Sequence, residues 1–256
     1  MKKALILLMS ILLLSQVSAQ LPDADQIMNK SRELSIISSL QATIKLTIIE
    51  KNGATRNRTI EMTSKSFPEG LEKRFIKFLE PADVRGTAML VVDYKSVSDE
   101  IWIYLPALKK TRRISSSENG KSFMSSEFSN ADMGSPTLSD FKNRHIDGSG
   151  SNNTWIIESV PVNDDKADEY GYSKKISYIS KDQYQVHKME FYNFDNEHFK
   201  TIEIKSFFTL PEGKYMVSNM IASNLVTNRK SEILFNNIDD KAKVEDSYFT
   251  VQNLER

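Results

Sequence analysis

The feature that most constrains the fold is a strict alternation of apolar and polar side chains that begins at Gln41. A period of two residues is typical of a β-strand with one buried face. The apolar members of the run are Ala42, Ile44, Leu46 and Ile48. The dipeptide Asn52-Gly53 follows, which is a strong signal for a tight hairpin turn, and residues 54–64 are predicted to form the returning strand. The pattern therefore predicts a sheet that covers something apolar with one of its faces.

Similar runs continue through the chain and are separated by short turns, which predicts antiparallel neighbours rather than crossover helices. Further strands are predicted at residues 72–79, 87–94, 101–105, 109–114, 155–160, 172–180, 185–192, 198–210, 215–226 and 232–238. The most convincing helix starts at Ala24, and residues 130–142 are predicted to form short helical turns. Residues 247–256 are expected to tuck Phe249 and Leu254 against the end of the sheet. The predicted fold class is therefore mainly β, in a single domain.

The N-terminus has the pattern of a cleavable signal peptide. A cationic start and an apolar stretch too short to span a bilayer precede small residues that end at Ala19. We predict that residues 1–19 are a signal peptide cleaved before Gln20, and that residues 20–256 are the mature domain. A membrane anchor that stays attached is the alternative. The chain has no cysteine, so it cannot be acylated at an N-terminal cysteine and must be stabilised by its own core, which fits a bacterial periplasm.

Residue types that often carry chemistry are present, but they form no catalytic pattern. The formal net charge is +0, which gives no electrostatic case for a nucleic-acid partner. The three histidines, His145, His187 and His198, lack a third ligand at metal spacing, and no serine lies in a known hydrolase motif. The acidic cluster around Asp164 and Glu169 is predicted to be a solvated turn, since it lacks the glycine of a calcium loop. We predict no catalytic residue, metal site or cofactor.

The most distinctive part of the chain is residues 101–129, where a strand, a run with four cations and a Ser-rich turn lead to a second apolar cluster. The pattern here resembles the LolA-like outer-membrane lipoprotein-sorting proteins. The resemblance covers about residues 75–133 and is carried by the strings FLEPADVRGTAML, IWIYLPALKKTRRI and SFMSSEFSNADM. The sequence departs from the usual pattern at Ser125, where the family normally has glycine, and at Asn130-Ala131, where an aromatic residue and an acid are usual.

The resemblance implies an unclosed antiparallel β-barrel whose concave apolar face is covered by short helices. It also implies a periplasmic carrier that shields the acyl chains of lipoproteins or lipids between envelope membranes. Relatives of this subgroup are often linked to RND/MMPL-type exporters, so an inner-membrane transporter of that type and an outer-membrane acceptor are candidate partners. Two alternatives stay open: a non-catalytic periplasmic adaptor of such a transporter, and an envelope hydrolase.

Candidate site residues follow from the same reasoning. The residues expected to contact lipid are Met89, Trp102, Tyr104, Phe123, Met124, Phe128, Met133 and Leu138. Met and Phe suit a cavity for chains of irregular shape, although ordinary core packing is the alternative for such a set. Residues 123–141, together with the helix from Ala24, are the predicted lid. Arg112 and Arg113 are candidates for contact with an acidic partner or a lipid phosphate, and a solvated strand end is the alternative.

Overall fold

The computed structural model describes residues 22–95, 97, 99–146 and 153–256. The predicted signal peptide, residues 1–19, and its cleavage site before Gln20 lie outside the described residues. The two helices are α1 (Ala24–Ser35) and α2 (Asp164–Tyr170). The strands are β1 (Ser39–Ile49), β2 (Thr55–Ser66), β3 (Glu72–Glu80), β4 (Ala88–Asp93), β5 (Glu100–Leu105), β6 (Lys110–Ile114), β7 (Phe141–His145), β8 (Thr154–Pro161), β9 (Lys174–Ser180), β10 (Val186–Tyr192), β11 (His198–Thr209), β12 (Tyr215–Asn224) and β13 (Lys230–Asp239).

All thirteen strands form one antiparallel sheet in the order β6-β5-β4-β3-β2-β1-β13-β12-β11-β10-β9-β8-β7. Two meanders, β1 to β6 and β7 to β13, are joined where β1 pairs with β13, with Ile44 opposite Phe235. The edge strands β6 and β7 do not pair with each other, so the barrel is open. The predicted fold class, a mainly β protein with an unclosed antiparallel barrel, is confirmed.

The two faces of the sheet are easily distinguished by the side chains they carry. The inner face carries one large cluster of buried apolar residues contributed by strands from both meanders, including Ile44 of β1, Met89 of β4 and Ile202 of β11. Since strands far apart in the sheet share this cluster, the sheet curves around it. The chain between β6 and β7, residues 115–140, crosses this face, and we call it the crossover segment. It includes four single turns of 3-10 helix, Ser116–Glu118, Phe123–Ser125, Ala131–Met133 and Leu138–Asp140.

Helix α1 packs against the inner face near the edge of the sheet that is formed by β7 and β8. Asp23 and Gln26 form a capping box that fixes its first turn. Ala24 and Ile27 are buried in a cluster whose strand residues are Trp155, Ile157 and Ile179. Among the described residues, no helix is both long and apolar enough to cross a membrane.

The outer face of β3, β4 and β5 is also buried, because the C-terminal segment covers it. Phe249 and Leu254 lie in a cluster with Phe75 and Leu90, and the Phe75 and Tyr248 rings are 4.9 Å apart. The expectation that residues 247–256 pack Phe249 and Leu254 against the sheet is confirmed, and the one-sided alternation of β1 does not extend to these three strands. The tail packs on their outer face, because a strand with apolar residues at successive positions needs cover on both sides.

Two local predictions are also corrected. Phe141, predicted to be part of a helical stretch, instead begins strand β7, whose five residues lie opposite β8. The acidic cluster around Asp164 and Glu169 lies in helix α2 rather than in an irregular turn. Asn163 caps this helix, its side chain accepting from the Lys166 backbone amide at 2.9 Å, and Asp164 and Asp165 favour a helix N-terminus.

Candidate functional site

The inner face encloses an apolar cavity of about 280 Å³ over the central strands β3, β2, β1, β13 and β12. We call it the central cavity. Most of its wall consists of the alternate side chains that these strands direct inward. The strand residues that line the cavity are Leu40, Ile44, Ile60, Met62, Ser64, Glu72, Arg74, Ile76, Tyr215, Met216, Val217, Met220, Ile233 and Phe235. A wall of this composition suits an apolar ligand with few polar groups.

The crossover segment forms the opposite wall of the central cavity. Phe123, Met133 and Gly134 line it from this side, and Ile37 lines it from the residues that follow α1. Phe123 is 1% exposed, and its ring lies 5.9 Å from that of Phe78. The cover therefore presses apolar side chains into the sheet and still leaves space beneath it.

The turn that carries Phe123 has an unusual backbone. Met124 and Ser125 have φ values of 48° and 64°, in the left-handed region where glycine is favoured. Ser125 is the position at which the resembling sequences normally have glycine, and the structure gives the physical reason for that preference. Ser125 adopts this left-handed backbone conformation at a cost in free energy.

Arginine side chains attach the crossover segment to the sheet at two places. Arg58 of β2 donates to the Met124 carbonyl oxygen, and Arg229 donates to the Ser125 carbonyl oxygen at 3.0 Å. At the other place, Arg74 of β3 donates to the Met133 carbonyl oxygen at 2.8 Å, and Arg32 of α1 donates to the Pro136 carbonyl oxygen at 3.2 Å. The cover is thus held both by hydrogen bonds to its backbone at these two places and by the buried side chains of Phe123 and Phe128.

The second attachment contains a buried cluster of charges around Asp93. The Asp93 carboxylate is fully buried, accepts from the Ser135 backbone amide at 2.8 Å, and pairs with Arg32 at 2.9 Å and with Arg74 at 3.5 Å. Burial, and then the charge of Asp93, raise the pKa of the neighbouring Asp99 to about 8. Burial also raises the pKa of Glu72. The ion pairs of Asp93 and the protonation of Asp99 therefore contribute to the attachment of the crossover segment.

The predicted lipid-contacting residues are divided among several places. Phe123 and Met133 line the central cavity, Met124 and Met89 pack in the inner cluster, and Phe128 is buried beside a smaller pocket. Trp102 and Tyr104 lie on the outer face, in the cluster that includes Leu90, and are not among the residues that line the cavity. Leu138 lies in a groove with residues of α1. Because β5 is apolar at successive positions, its sequence does not show which alternate residues face inward.

Most wall residues of the central cavity were not among the predicted site residues. Ile44, Ile60, Met216, Met220 and Ile233 come from strands that the sequence predicts correctly. The alternation of β1 and β2 is the signal that could have identified the first two, because every second residue shares a face.

The two predicted arginines are each paired with a carboxylate. Arg112 pairs with Glu118 at 2.9 Å, and this hydrogen bond lowers the pKa of Glu118 to about 2. Arg113 pairs with Glu100 at 3.4 Å. Contact of these arginines with a partner or a phosphate stays a prediction.

The histidines do not converge on a site. His187 packs edge-on against Phe207, and His198 stacks on Tyr192. In the part of the chain that the structure describes, no group of three or more His, Cys, Asp or Glu side chains is arranged to hold a metal ion.

Comparison with known families identifies the group to which the chain belongs. Residues 70–256 match the model of a family described as "Uncharacterized protein", and this span is well over half of the chain. The chain belongs to this family, and its fold is LolA-like. No curated protein matches the sequence.

Three solved structures show the LolA-like fold. A domain from Vibrio parahaemolyticus described as an outer membrane lipoprotein-sorting protein has a TM-score of 0.83 at 24% identity, covering 91% of this chain and 98% of that chain. A DUF1329 family protein from Desulfovibrio piger has a TM-score of 0.79 at 24% identity, covering 90% and 97%. A LolA superfamily protein from Nitrosomonas europaea has a TM-score of 0.68 at 18% identity, covering 89% and 97%.

Proposed function

We propose that this protein is a periplasmic carrier that shields the acyl chains of lipoproteins or lipids during transfer between envelope membranes. The observation that carries the proposal is the central cavity, which is apolar, lies inside an open sheet, and is covered by a segment held at its margins by hydrogen bonds. The LolA-like fold and the description of the Vibrio domain as lipoprotein-sorting support the same role.

The energetics of the cavity suit reversible shielding. An acyl chain in water costs roughly 0.8 kcal/mol per CH₂ group, so even part of a chain gains several kcal/mol on entering the cavity. The arginine hydrogen bonds to the Met133 and Pro136 carbonyls can be exchanged for water when the crossover segment moves. Each such exchange costs about 1.5–3 kcal/mol, because the donor is charged, and the burial of a few CH₂ groups of the ligand can offset a cost of that size. A cover of this kind can open without unfolding the sheet.

A binding assay with two matched variants tests the proposal. The ligand is a diacylated lipopeptide, and the same peptide without its acyl chains is the reference. Ile60→Phe places a ring into the central cavity, whereas Leu90→Phe adds the same ring to the outer face; both residues are 2% exposed. We expect the wild type to bind only the acylated peptide, Ile60→Phe to lose at least tenfold in affinity, and folded Leu90→Phe to bind as the wild type does.

Native mass spectrometry of the protein purified from its own envelope provides a second readout. Bound lipid or lipoprotein is the expected result. A wild-type protein that binds neither peptide, carries no lipid and co-purifies with an RND/MMPL-type transporter would contradict the carrier role and support an adaptor.

A further inference from the structure

A row of two lysines and a phenylalanine crosses the inner face beside the central cavity. Lys175 of β9 lies opposite Phe191 of β10, and Phe191 lies opposite Lys200 of β11. Residues directly opposite one another in a sheet share a face. Phe191 belongs to the inner cluster, so both lysines belong to the inner face, and they are only 6% and 7% exposed. Two ammonium groups are thus buried on an otherwise apolar surface.

Only one of these two lysines has a charged partner. Lys200 pairs with Asp132 of the crossover segment at 2.9 Å, and its ammonium lies 4.2 Å from the centre of the Phe191 ring. Lys175 makes no hydrogen bond or ion pair with any described residue. The Lys175 ammonium lies 5.5 Å from the centre of the Phe141 ring. The site therefore holds two cations and one carboxylate.

Lys175 borders a second pocket that adjoins the central cavity, whereas Lys200 lines a neighbouring pocket beside Phe128 and Tyr172. The second pocket has a volume of about 130 Å³, and Lys175, Asp132 and Phe191 line it together with apolar residues such as Met189 and Ile202. Asp132, Gly134 and Met220 line both the second pocket and the central cavity. Each space alone falls below the roughly 300 Å³ at which typical ligand pockets begin, whereas the two together reach that range.

We propose that Lys175, assisted by Lys200, binds the anionic group of an amphiphile whose apolar chain lies in the central cavity. The anionic group is a carboxylate or a phosphate ester, and the amphiphile enters with its charged end beneath residues 131–136 of the crossover segment. The inference rests on the proposed carrier function and adds the chemical class of the ligand to it.

Electrostatics makes an anion the expected ligand of this site. A buried charge is costly unless it is paired, and Lys175 is the buried cation that lacks a partner among the described residues. An incoming anion would balance two cations with two anions, and a lysine ammonium is a common point-charge partner for phosphate. Burial and the neighbouring Lys200 lower the pKa of Lys175 to about 8, while Asp132 opposes that shift. An anion beside Lys175 would favour its protonated form and oppose this lowering.

The neighbouring Lys174 provides a matched control. It precedes Lys175 in β9 and so points to the outer face, where its ammonium lies 3.9 Å from Glu158 and 4.6 Å from the centre of the Tyr192 ring. Lys174→Met removes the same charge from the same strand without touching the row. Lys175→Met replaces the buried ammonium by an apolar group of similar length, which cores usually tolerate. Melting curves without ligand check that both variants fold.

The experiment measures displacement of a neutral fluorescent probe from the full mature protein by pairs of amphiphiles. Hexadecanoic acid is compared with hexadecanol, and a lysophosphatidic acid with the corresponding monoacylglycerol, all below their aggregation concentrations. Inorganic phosphate is added alone as the reference for an anion without a chain. We expect the wild type and Lys174→Met to prefer at least one anionic amphiphile by tenfold or more. Lys175→Met should lose that preference and bind the neutral members of each pair unchanged.

The outcomes separate the two proposals. A wild type that binds every amphiphile, with equal affinity for the charged and neutral members, overturns the anion site and leaves the carrier function standing, and this comparison needs no variant. A wild type that binds no amphiphile overturns the carrier function. Lys175-dependent displacement by inorganic phosphate alone would assign the site to free phosphate and overturn the amphiphile.

Discussion

The two faces of the same three strands, β3 to β5, are covered in different ways. On the outer face, the C-terminal segment packs aromatic rings directly against the sheet, with the Phe75 and Tyr248 rings 4.9 Å apart. On the inner face, Met89 joins the large apolar cluster that includes Phe123 and Phe128 of the crossover segment, and Arg74 and the buried Asp93 form hydrogen bonds to the same segment beside the central cavity. Successive residues of one strand, such as Met89 and Leu90, therefore take part in two different kinds of core.

The difference shows what a permanent cover needs and what a movable cover needs. Apolar contact without gaps is lost entirely when the cover leaves, because exposed apolar surface has no other partner in water. Hydrogen bonds to backbone carbonyls can be replaced by hydrogen bonds to water, at a net cost of about 1.5–3 kcal/mol each when the donor is charged. The outer face is therefore covered by packed apolar side chains, whereas the inner face combines packed apolar side chains with a cavity and with hydrogen bonds that water can replace.

The largest effect is expected where the permanent cover is weakened. Phe249→Ala removes a side chain that is 2% exposed between the tail and the sheet, and loss of a buried phenylalanine costs about 3–5 kcal/mol. Denaturant titration should show this loss in the free energy of unfolding, whereas the exposed Leu108→Ala should change it little. At a temperature where Phe249→Ala is folded, lipopeptide affinity should be unchanged. Loss of affinity in the folded variant would show that the two covers are coupled.

The second-largest effect on the free energy of unfolding is expected when a phenylalanine ring is added to one face or to the other. Leu90→Phe overpacks a filled core and should lower the free energy of unfolding by about 1–3 kcal/mol. Ile60→Phe borders the central cavity, so part of its ring can occupy existing space and its cost should be smaller. Denaturant midpoints measure both. An equal cost for the two variants would mean that the inner face is as tightly packed as the outer face.

The third prediction concerns the protonation of Asp99 beside the inner cover. Its pKa is raised to about 8 in the folded protein by burial and by Asp93, so the folded state holds a proton that the unfolded state releases. This contribution to stability is present below about pH 4 and is lost as the pH rises through about 8. Asp99→Asn should lack this decline, and the wild type should differ from it by at most about 1.4 kcal/mol per pH unit. Parallel pH profiles for the two proteins would show that Asp99 has an ordinary pKa.

The smallest effect is expected at the turn that carries Phe123. Ser125→Gly relieves a left-handed conformation that costs a non-glycine residue about 1–2 kcal/mol, but glycine also loses more entropy on folding. A gain of a few tenths of a kcal/mol in the free energy of unfolding is therefore expected. Ser117→Gly, at a position in the same segment without positive φ, should be neutral or unfavourable. A loss of stability in Ser125→Gly would indicate that the serine is retained for another contact.

Much of the architecture could be predicted because its signals are local. The alternation in β1 and the Asn52-Gly53 turn specify a hairpin without reference to the rest of the chain. The strands of the C-terminal meander follow from the same signals. Strand β7 was missed because its five residues acquire strand structure by pairing with β8, with Phe141 opposite Pro161. Pairing of that kind depends on a distant part of the chain.

The candidate site was predicted only in part. Phe123 and Met133 of the crossover segment line the central cavity, and their contact with lipid stays a prediction. Trp102 and Tyr104 were assigned to the same group because β5 is apolar at successive positions, so its period does not reveal its inner face. The lysine row was not predicted, since Lys175 and Lys200 are far apart in sequence and meet only through the register of β9, β10 and β11.

The sequence by itself determined every strand except β7, the turns between them, the first helix and the mainly β class, because alternation and turn chemistry act over a few residues. Only the tertiary structure decided which face of each strand looks inward and which segment covers each face. It also decided that two buried lysines lie side by side and that only Lys200 of the two pairs with a carboxylate of the described residues. These properties depend on strand register and on chain curvature, which bring together residues that no local pattern connects.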